Sequence, residues 1–164
     1  MKEIRVEGAV AYVPLTRGYE AVIDSADVDF ISKWTWHVLL VRERPYAQCV
    51  DYTSGRKLLL MHRLILGTPV GLFTDHVNGD SLDNRRVNLR EATPSQNQCN
   101  QGLRKDNTSG YKGVCFDKSR GLWAARIKVN GERVNLGRFK TPEEAYEVYC
   151  NAAEKYHREF ANYG

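Results

Sequence analysis

No stretch of this 164-residue chain approaches the roughly 20 apolar residues that a membrane-crossing helix needs. The opening Met1-Lys2-Glu3-Ile4-Arg5 lacks the apolar stretch of a signal peptide. Both absences argue against a membrane partner and predict an intracellular protein. Cysteine is sparse: Cys49, Cys99, Cys115 and Cys150 are dispersed, with no Cys-x-x-Cys pair. Neither a structural zinc site nor a disulfide framework is expected, and the four read as reduced, mostly buried thiols. Internal repeats, low-complexity tracts and RNA-binding signatures are also missing. What the chain does have is 42% hydrophobic content, enough for one ordinary domain or two small ones.

Charge is more telling by region than in sum. Residues 101–142 carry ten Lys or Arg against three Asp or Glu, a surplus of +7, whereas residues 1–74 are almost balanced. A merely soluble surface mixes its signs. A concentrated basic block is the footprint of a phosphate-binding surface whose affinity falls with salt.

The most informative feature is the pair Asp75-His76, read with Asn88 and Asn97 downstream. From Asp75-His76-Val77-Asn78-Gly79 to Val87-Asn88-Leu89-Arg90 the chain reads as a loop rich in turn formers, closed by a short strand. A helix signal follows, with Thr93 as the capping hydroxyl, Pro94 at the first helical position and Gln96 completing a capping box. Strand, loop, strand and helix are expected to fold back and bring Asp75, His76 and Asn97 together. A carboxylate and an amide oxygen are hard ligands, suited to Mg²⁺ or a similar ion that keeps several waters and binds phosphate oxygens. An imidazole beside such an ion is a natural general base for a water attacking phosphorus. Taken singly, each residue reads as turn chemistry or local capping. Taken as a group, one metal, one base and a phosphodiester make a nuclease.

On these residues, the segment from about 60 to 100 resembles an HNH endonuclease of the homing type, from Met61-His62-Arg63-Leu64 to Ser95-Gln96-Asn97. The resemblance implies a ββα-metal finger in which Asp75 binds the metal, His76 is the general base and Asn88 braces the loop. Asn97 becomes the second metal ligand, where other members carry His. It also implies Mg²⁺ or Mn²⁺ as cofactor and 5′-phosphate and 3′-hydroxyl ends as products. His62, in an apolar run, reads as a packing residue leading into the finger. His37 reads as part of a strand, and His157 has no nameable partner.

The basic block has its own architecture. Tyr111–Phe116, Leu122–Val129 and Arg133–Phe139 read as three strands, with Asn130-Gly131 a strong hairpin turn between the last two. Thr141-Pro142-Glu143-Glu144 opens a helix with a second capping box. On it Ala145, Tyr149, Ala152, Tyr156 and Phe160 recur every three or four residues, a face that should cover one side of the sheet. Alternation puts Trp123, Ala125, Ile127 and Val129 on that side and Arg126 and Lys128 on the other, where Arg133 can align with them. Such a basic sheet face can enter a major groove.

Residues from about 109 to 163 resemble an APETALA2-type DNA-binding domain. The matching elements are Tyr111-Lys112-Gly113-Val114, Trp123-Ala124-Ala125-Arg126-Ile127, Leu136-Gly137-Arg138-Phe139 and Glu143-Glu144-Ala145-Tyr146. The resemblance implies DNA contacts from Lys112, Arg126, Lys128 and Arg133, and Arg138 is read as a further DNA-binding residue. Cys115, Asp117 and Asn135 depart from it, standing where plant members often carry Arg, Arg and Trp. The plant target sequence therefore does not transfer.

The remainder sets the organisation. Ala9–Leu15 and Tyr19–Ile23 read as a strand pair, Asp24–Ser32 as a short helix capped by Asp24 or Ser25, and Tyr46–Tyr52 with Lys57–Leu60 as a hairpin through Thr53-Ser54-Gly55-Arg56. The expected fold is α+β: an N-terminal antiparallel β region and ββα-metal HNH finger over 1–100, a linker over 101–109, and over 110–164 a three-stranded antiparallel sheet packed on one helix. Arg104 and Lys105 in the linker could follow the DNA backbone. The reading is a metal-dependent DNA endonuclease that acts as a monomer on duplex DNA and nicks one strand per visit. By resemblance it is cytoplasmic, in a bacterial or phage-infected cell. A DNA-binding regulator with an inactive finger is the alternative, and an RNA-directed nuclease a third reading.

Overall fold

Burial alternates along Val10-Ala11-Tyr12-Val13-Pro14, with Ala11 and Val13 buried between half-exposed neighbours. This is the period-two signature of a strand with one face in a core. In the computed structural model, which describes residues 3–53 and 55–164, that strand is the centre of an antiparallel sheet. Its order is β1 (Arg5–Glu7), β2 (Val10–Pro14), β3 (Glu20–Asp24). A 3₁₀ turn, Ser25–Asp27, leads into the single-turn helix α1 (Val28–Ile31). Neither Asp24 nor Ser25 caps it through a side chain, because Asp24 Oδ2 instead accepts the backbone N–H of Arg86 at 2.8 Å.

A second antiparallel sheet follows, ordered β4 (His37–Val41), β5 (Arg44–Asp51), β6 (Lys57–Leu60). Ser54, in the turn expected before β6, lies outside the described residues. The apolar run 58–66 divides at Leu60, where the strand gives way to α2 (Met61–Leu66), which Gly67 ends in a left-handed conformation at φ 71°. Ala11, Val13, Ala21 and Ile23 from the first sheet, Ile31, Trp36, Ala47 and Cys49, and Met61 and Ile65 from α2 form one buried core. Each large apolar side chain buried there contributes about 1.5–3 kcal/mol. A two-stranded antiparallel sheet, β7 (Phe73–His76) with β8 (Leu89–Ala92), is joined to α3 (Pro94–Cys99) by Thr93. Thr93 and Gln96 exchange both hydrogen bonds of the capping box.

The chain divides into two compact units, the first ending at Ala92 and the second beginning at Thr93. The strand-loop-strand-helix succession straddles this division, and residues 101–109 lie inside the second unit. There the sheet order is β11 (Glu132–Phe139), β10 (Leu122–Val129), β9 (Val114–Asp117), all antiparallel. Positive φ at Asn130 (51°) and Gly131 (90°) makes the tight turn joining β10 to β11.

The first of these strands begins at Val114, later than its composition suggests, because Gly113 sits at φ 74° and turns the chain. A Cβ on Gly113 would lie 2.1 Å from the Tyr149 ring, so that ring needs a glycine opposite it. Helix α4 (Pro142–His157), capped by Thr141 and Glu144, buries Ala145, Tyr149, Ala152 and Ala153 toward the sheet. Tyr156 is 44% exposed instead of joining that face, whereas Phe160 is buried from the following 3₁₀ turn. A bulge between Ala125 and Arg126 interrupts the ladder of β10, where Ala124 and Ala125 are both buried.

Candidate active site and nucleic-acid interface

Asp75 and His76 close β7, and the register sets Asp75 opposite Arg90 and His76 opposite Leu89 on β8. Asp75 is 5% exposed, and its Oδ2 accepts Arg90 Nε at 2.8 Å and Nη2 at 2.7 Å. Cross-strand placement and burial make this a strongly held, charge-assisted pair. His76 has different neighbours. Its ring lies 5.0 Å from His62 in an edge-on arrangement and 6.4 Å from Tyr46, and Nε2 is 3.3 Å from Asn84 Oδ1. Burial lowers the His76 pKa below the ordinary imidazole value, against a smaller upward pull from the Asn84 hydrogen bond. Burial, with the neighbouring His76, takes His62 down to about 3. Both imidazoles are therefore held neutral at physiological pH, the form a general base requires.

The loop between β7 and β8 is built from side chains that satisfy its backbone. Asn88 Oδ1 accepts Asn78 N–H at 2.9 Å, Asn88 Nδ2 donates to the Asp83 carbonyl at 2.8 Å, and the Asn88 carbonyl accepts Val77 N–H at 2.9 Å. Asp83 takes a two-pronged hydrogen bond from Arg85, at 2.8 and 2.6 Å, and a third from Asn78 Nδ2. Hydrogen bonding from Arg85 holds its carboxyl below the ordinary range.

The N-terminal sheet anchors the loop from outside. Val22 N–H donates to the Leu82 carbonyl at 2.8 Å, Asn84 N–H donates to the Val22 carbonyl at 2.7 Å, and Ser81 Oγ donates to the Pro45 carbonyl. Arg86 reaches buried Asp27 with Nε at 3.1 Å and Nη2 at 2.6 Å. Arg63 of α2 donates to the carbonyls of Leu72, Thr68 and Pro69, fixing the approach to β7.

Asn97, the fourth residue singled out by sequence, is half-buried on α3 in the second unit. Among the described residues no group of three His, Cys, Asp or Glu side chains converges to hold a metal. In the first unit the donor set fits a hard divalent ion only in the manner of Mg²⁺, with one protein carboxylate, Asp75, and the rest of the shell drawn from water and substrate phosphate. Sequence reasoning missed Arg90, Asp83, Asn84, Tyr46 and Arg63. Only Arg90 left a signal, as a cation on the short strand that closes the loop.

In the second unit, Lys128 and Arg133 are directly opposite each other in the β10–β11 register, and Arg126 is opposite Asn135. Lys112, Arg126, Lys128 and Arg133 share the lining of an open cleft of about 720 Å³ with Gln98 and Cys99 of α3. Lys112 Nζ donates to the Cys99 carbonyl at 2.8 Å, and Lys128 Nζ to Gln98 Oε1 at 3.1 Å. Burial brings Lys112 down to about 8.

Arg104 forms a two-pronged pair with Asp106, at 2.8 and 2.9 Å, with both side chains well exposed, so that solvent screens the pair. Lys105 is exposed beside it. Arg138 is drawn to Asp117 at 3.0 Å. Asp117, held near 2 by hydrogen bonds from Ser119 and then Arg138, stands at one of the departures from the plant pattern and neutralises a cation beside it.

A family model described as HNH endonuclease matches residues 60–99, and one described as AP2 domain matches 109–159. A protein from Acanthamoeba polyphaga mimivirus, described as an uncharacterized HNH endonuclease, is 31% identical over 137 residues, spanning 80% of this chain and 67% of its own. Protein 3.8 of Escherichia phage T7 is 33% identical over 95 residues, 58% of this chain and 78% of that one. No solved structure matches. Among the described residues no helix is long and apolar enough to cross a membrane. HNH and AP2 domains together indicate DNA binding, and with them the chain belongs to the HNH endonucleases, its HNH domain followed by an AP2 domain.

Proposed function

We propose that this protein is a metal-dependent DNA endonuclease of the homing type that cuts one strand of duplex DNA per visit. The observation that carries the reading is the buried His76 at the end of β7, next to Asp75 and over a loop braced by Asn88. His76 takes a proton from the water that attacks the scissile phosphorus. The P–O3′ bond breaks, the departing 3′ oxygen gains a proton, and the ends are a 5′-phosphate and a 3′-hydroxyl. Asp75 is a ligand for Mg²⁺ or Mn²⁺, and Asn97 enters as the second by its place in the matched segment. When bound, such an ion neutralises charge developing on the phosphate and the leaving oxygen. Arg90 orients the Asp75 carboxylate by gripping Oδ2.

The C-terminal sheet holds the duplex through Lys112, Arg126, Lys128 and Arg133, with Arg104 and Lys105 following the backbone. Arg138, paired with Asp117, reaches DNA only by exchanging that partner. One finger meets one strand at a time, so the monomer nicks and a double-strand break takes two copies or two visits. The relative from a phage suits a protein acting in the cytoplasm of a bacterial or phage-infected cell.

The test is supercoiled plasmid with Mg²⁺, comparing the wild type with His76→Ala. We expect nicked circles from the wild type and a rate lower by about 10²–10⁴-fold from the variant, the usual share of a general base. Binding with no cut by the wild type makes the protein a DNA-binding regulator with an inactive finger. Equal cutting by both removes His76 from the chemistry.

A further inference from the structure

We infer that Asn84 is a positioning residue that fixes which ring nitrogen of His76 carries the proton, placing it on Nε2 and leaving Nδ1 as the basic nitrogen. Asn84 is completely buried, at 0% exposure, and its Oδ1 lies 3.3 Å from His76 Nε2. The carboxamide cannot be turned round without loss, because Nδ2 donates to the Leu82 carbonyl at 3.0 Å. Reversed, it would set an oxygen against that carbonyl and leave two buried acceptors facing each other. The group opposite Nε2 is thus an acceptor, and a neutral imidazole that donates from Nε2 has its lone pair on Nδ1.

Rotation of the imidazole is the other way to undo the arrangement, and packing opposes it. His62 meets the His76 ring edge-on at 5.0 Å and Tyr46 lies at 6.4 Å. The backbone of Asn84 is fixed as well. Its N–H donates to the Val22 carbonyl on β3, and the Leu82 carbonyl accepts Val22 N–H, a parallel bridge between the loop and the N-terminal sheet. Ser81 to Pro45 and Arg86 to Asp27 pin the same loop on either side. The N-terminal β region thereby acquires a role that its own sequence does not announce, as the frame holding the residue that orients the base.

The catalytic consequence rests on the nuclease reading, but the proton position does not, and the test keeps them apart. Full-length protein is labelled with ¹⁵N-histidine, and the ring nitrogens of His76 are assigned by their loss in His76→Ala and read by two-bond ¹H–¹⁵N correlation. In the wild type we expect a protonated Nε2 and an unprotonated Nδ1. In Asn84→Leu, which keeps volume and loses the acceptor, the preference should disappear. Its nicking rate at saturating DNA should fall about 10- to 100-fold, as for removal of a group that orients a reacting residue, with DNA affinity unchanged. Asn84→Asp, which keeps an acceptor opposite Nε2 although its second oxygen meets the Leu82 carbonyl, should keep that nitrogen protonated.

A wild-type His76 protonated on Nδ1 alone overturns the inference, as does an Asn84→Leu spectrum identical to the wild type. Should Asn84→Leu fail to fold, the wild-type and Asn84→Asp spectra still decide. If the wild type does not nick DNA, the nuclease reading falls and the spectra still settle the tautomer.

Discussion

Asp75, His76, Asn84 and Asn88 of the first unit are 5, 7, 0 and 6% exposed, whereas Arg104, Lys105, Lys128 and Arg133 of the second stand in solvent. Both units present polar side chains to the same class of ligand, yet by opposite means. Buried polar groups must each find a partner, and an unmet one costs about 1–3 kcal/mol. The loop of the first unit answers with Asn88, Asp83, Arg85 and Asn78 bonded to one another and to the backbone. Exposed cations need no such support. Solvent screens what partners they have, and their affinity for a polyanion comes from counterion release and falls with salt. The contrast follows the two tasks: general-base chemistry depends on fixed geometry, whereas holding a duplex depends on summed charge.

The sharpest way to break this comparison is to remove Arg90. Its guanidinium is 15% exposed and is bonded to a carboxylate that is 6% exposed, so Arg90→Ala leaves Asp75 buried without its cation. We expect a loss of about 3–5 kcal/mol in the first unit, read as a lowered denaturation midpoint. A midpoint within experimental error of the wild type would mean that the pair is solvated in practice, and that the first unit is no more preorganised than the second.

How far each unit could be read in advance follows the same division. Local rules announced both capping boxes, at Thr93–Gln96 and Thr141–Glu144, the Asn130-Gly131 turn and the strands β10 and β11, because these depend on neighbours along the chain. Asp75 and His76 were legible as a motif. Their partners were not, since Arg90 meets Asp75 through strand register and Asn84 meets His76 through a loop fold with no period to read.

Asp24 shows the limit from the other side. It carries the signature of a helix cap, yet its carboxylate is committed to Arg86, 62 residues away. Tyr156 fits the apolar face of α4 by spacing yet is 44% exposed, although its neighbour His157 still meets the sheet, with Nε2 2.9 Å from the Lys128 carbonyl.

A smaller effect sharpens the comparison on the exposed side. Arg126 and Arg133 lie on the two strands whose basic residues line the cleft. If each neutralises one phosphate, Arg126→Ala and Arg133→Ala should each reduce the slope of log affinity against log salt by about 0.9, with similar losses on unrelated duplexes. Titrations by fluorescence anisotropy at several salt concentrations measure this. A loss confined to one sequence, with the slope unchanged, would assign that arginine to base recognition and give the second unit a share of the geometric precision seen in the first.

Lys112 is the exception within the second unit, a cation that is partly buried, and it gives the smallest expected effect. Its folded pKa of about 8 lies below the ordinary lysine value of 10.5, because burial penalises the charged form. Below pH 8 both the folded and unfolded states carry the proton, and the penalty is fully present. Between about 8 and 10.5 the unfolded chain binds more protons than the folded one, so this group makes stability rise with pH. Cys99 and Tyr149 act in the opposite sense, since burial raises both pKa values and favours their neutral forms in the fold. The signal is therefore the difference between wild type and Lys112→Met, which retains a stem of similar length. Denaturation midpoints taken from pH 7 to 10 should show the wild type gaining on the variant as pH rises. A constant difference would mean that the amine of Lys112 keeps its proton throughout, and Lys112 would then join the exposed cations.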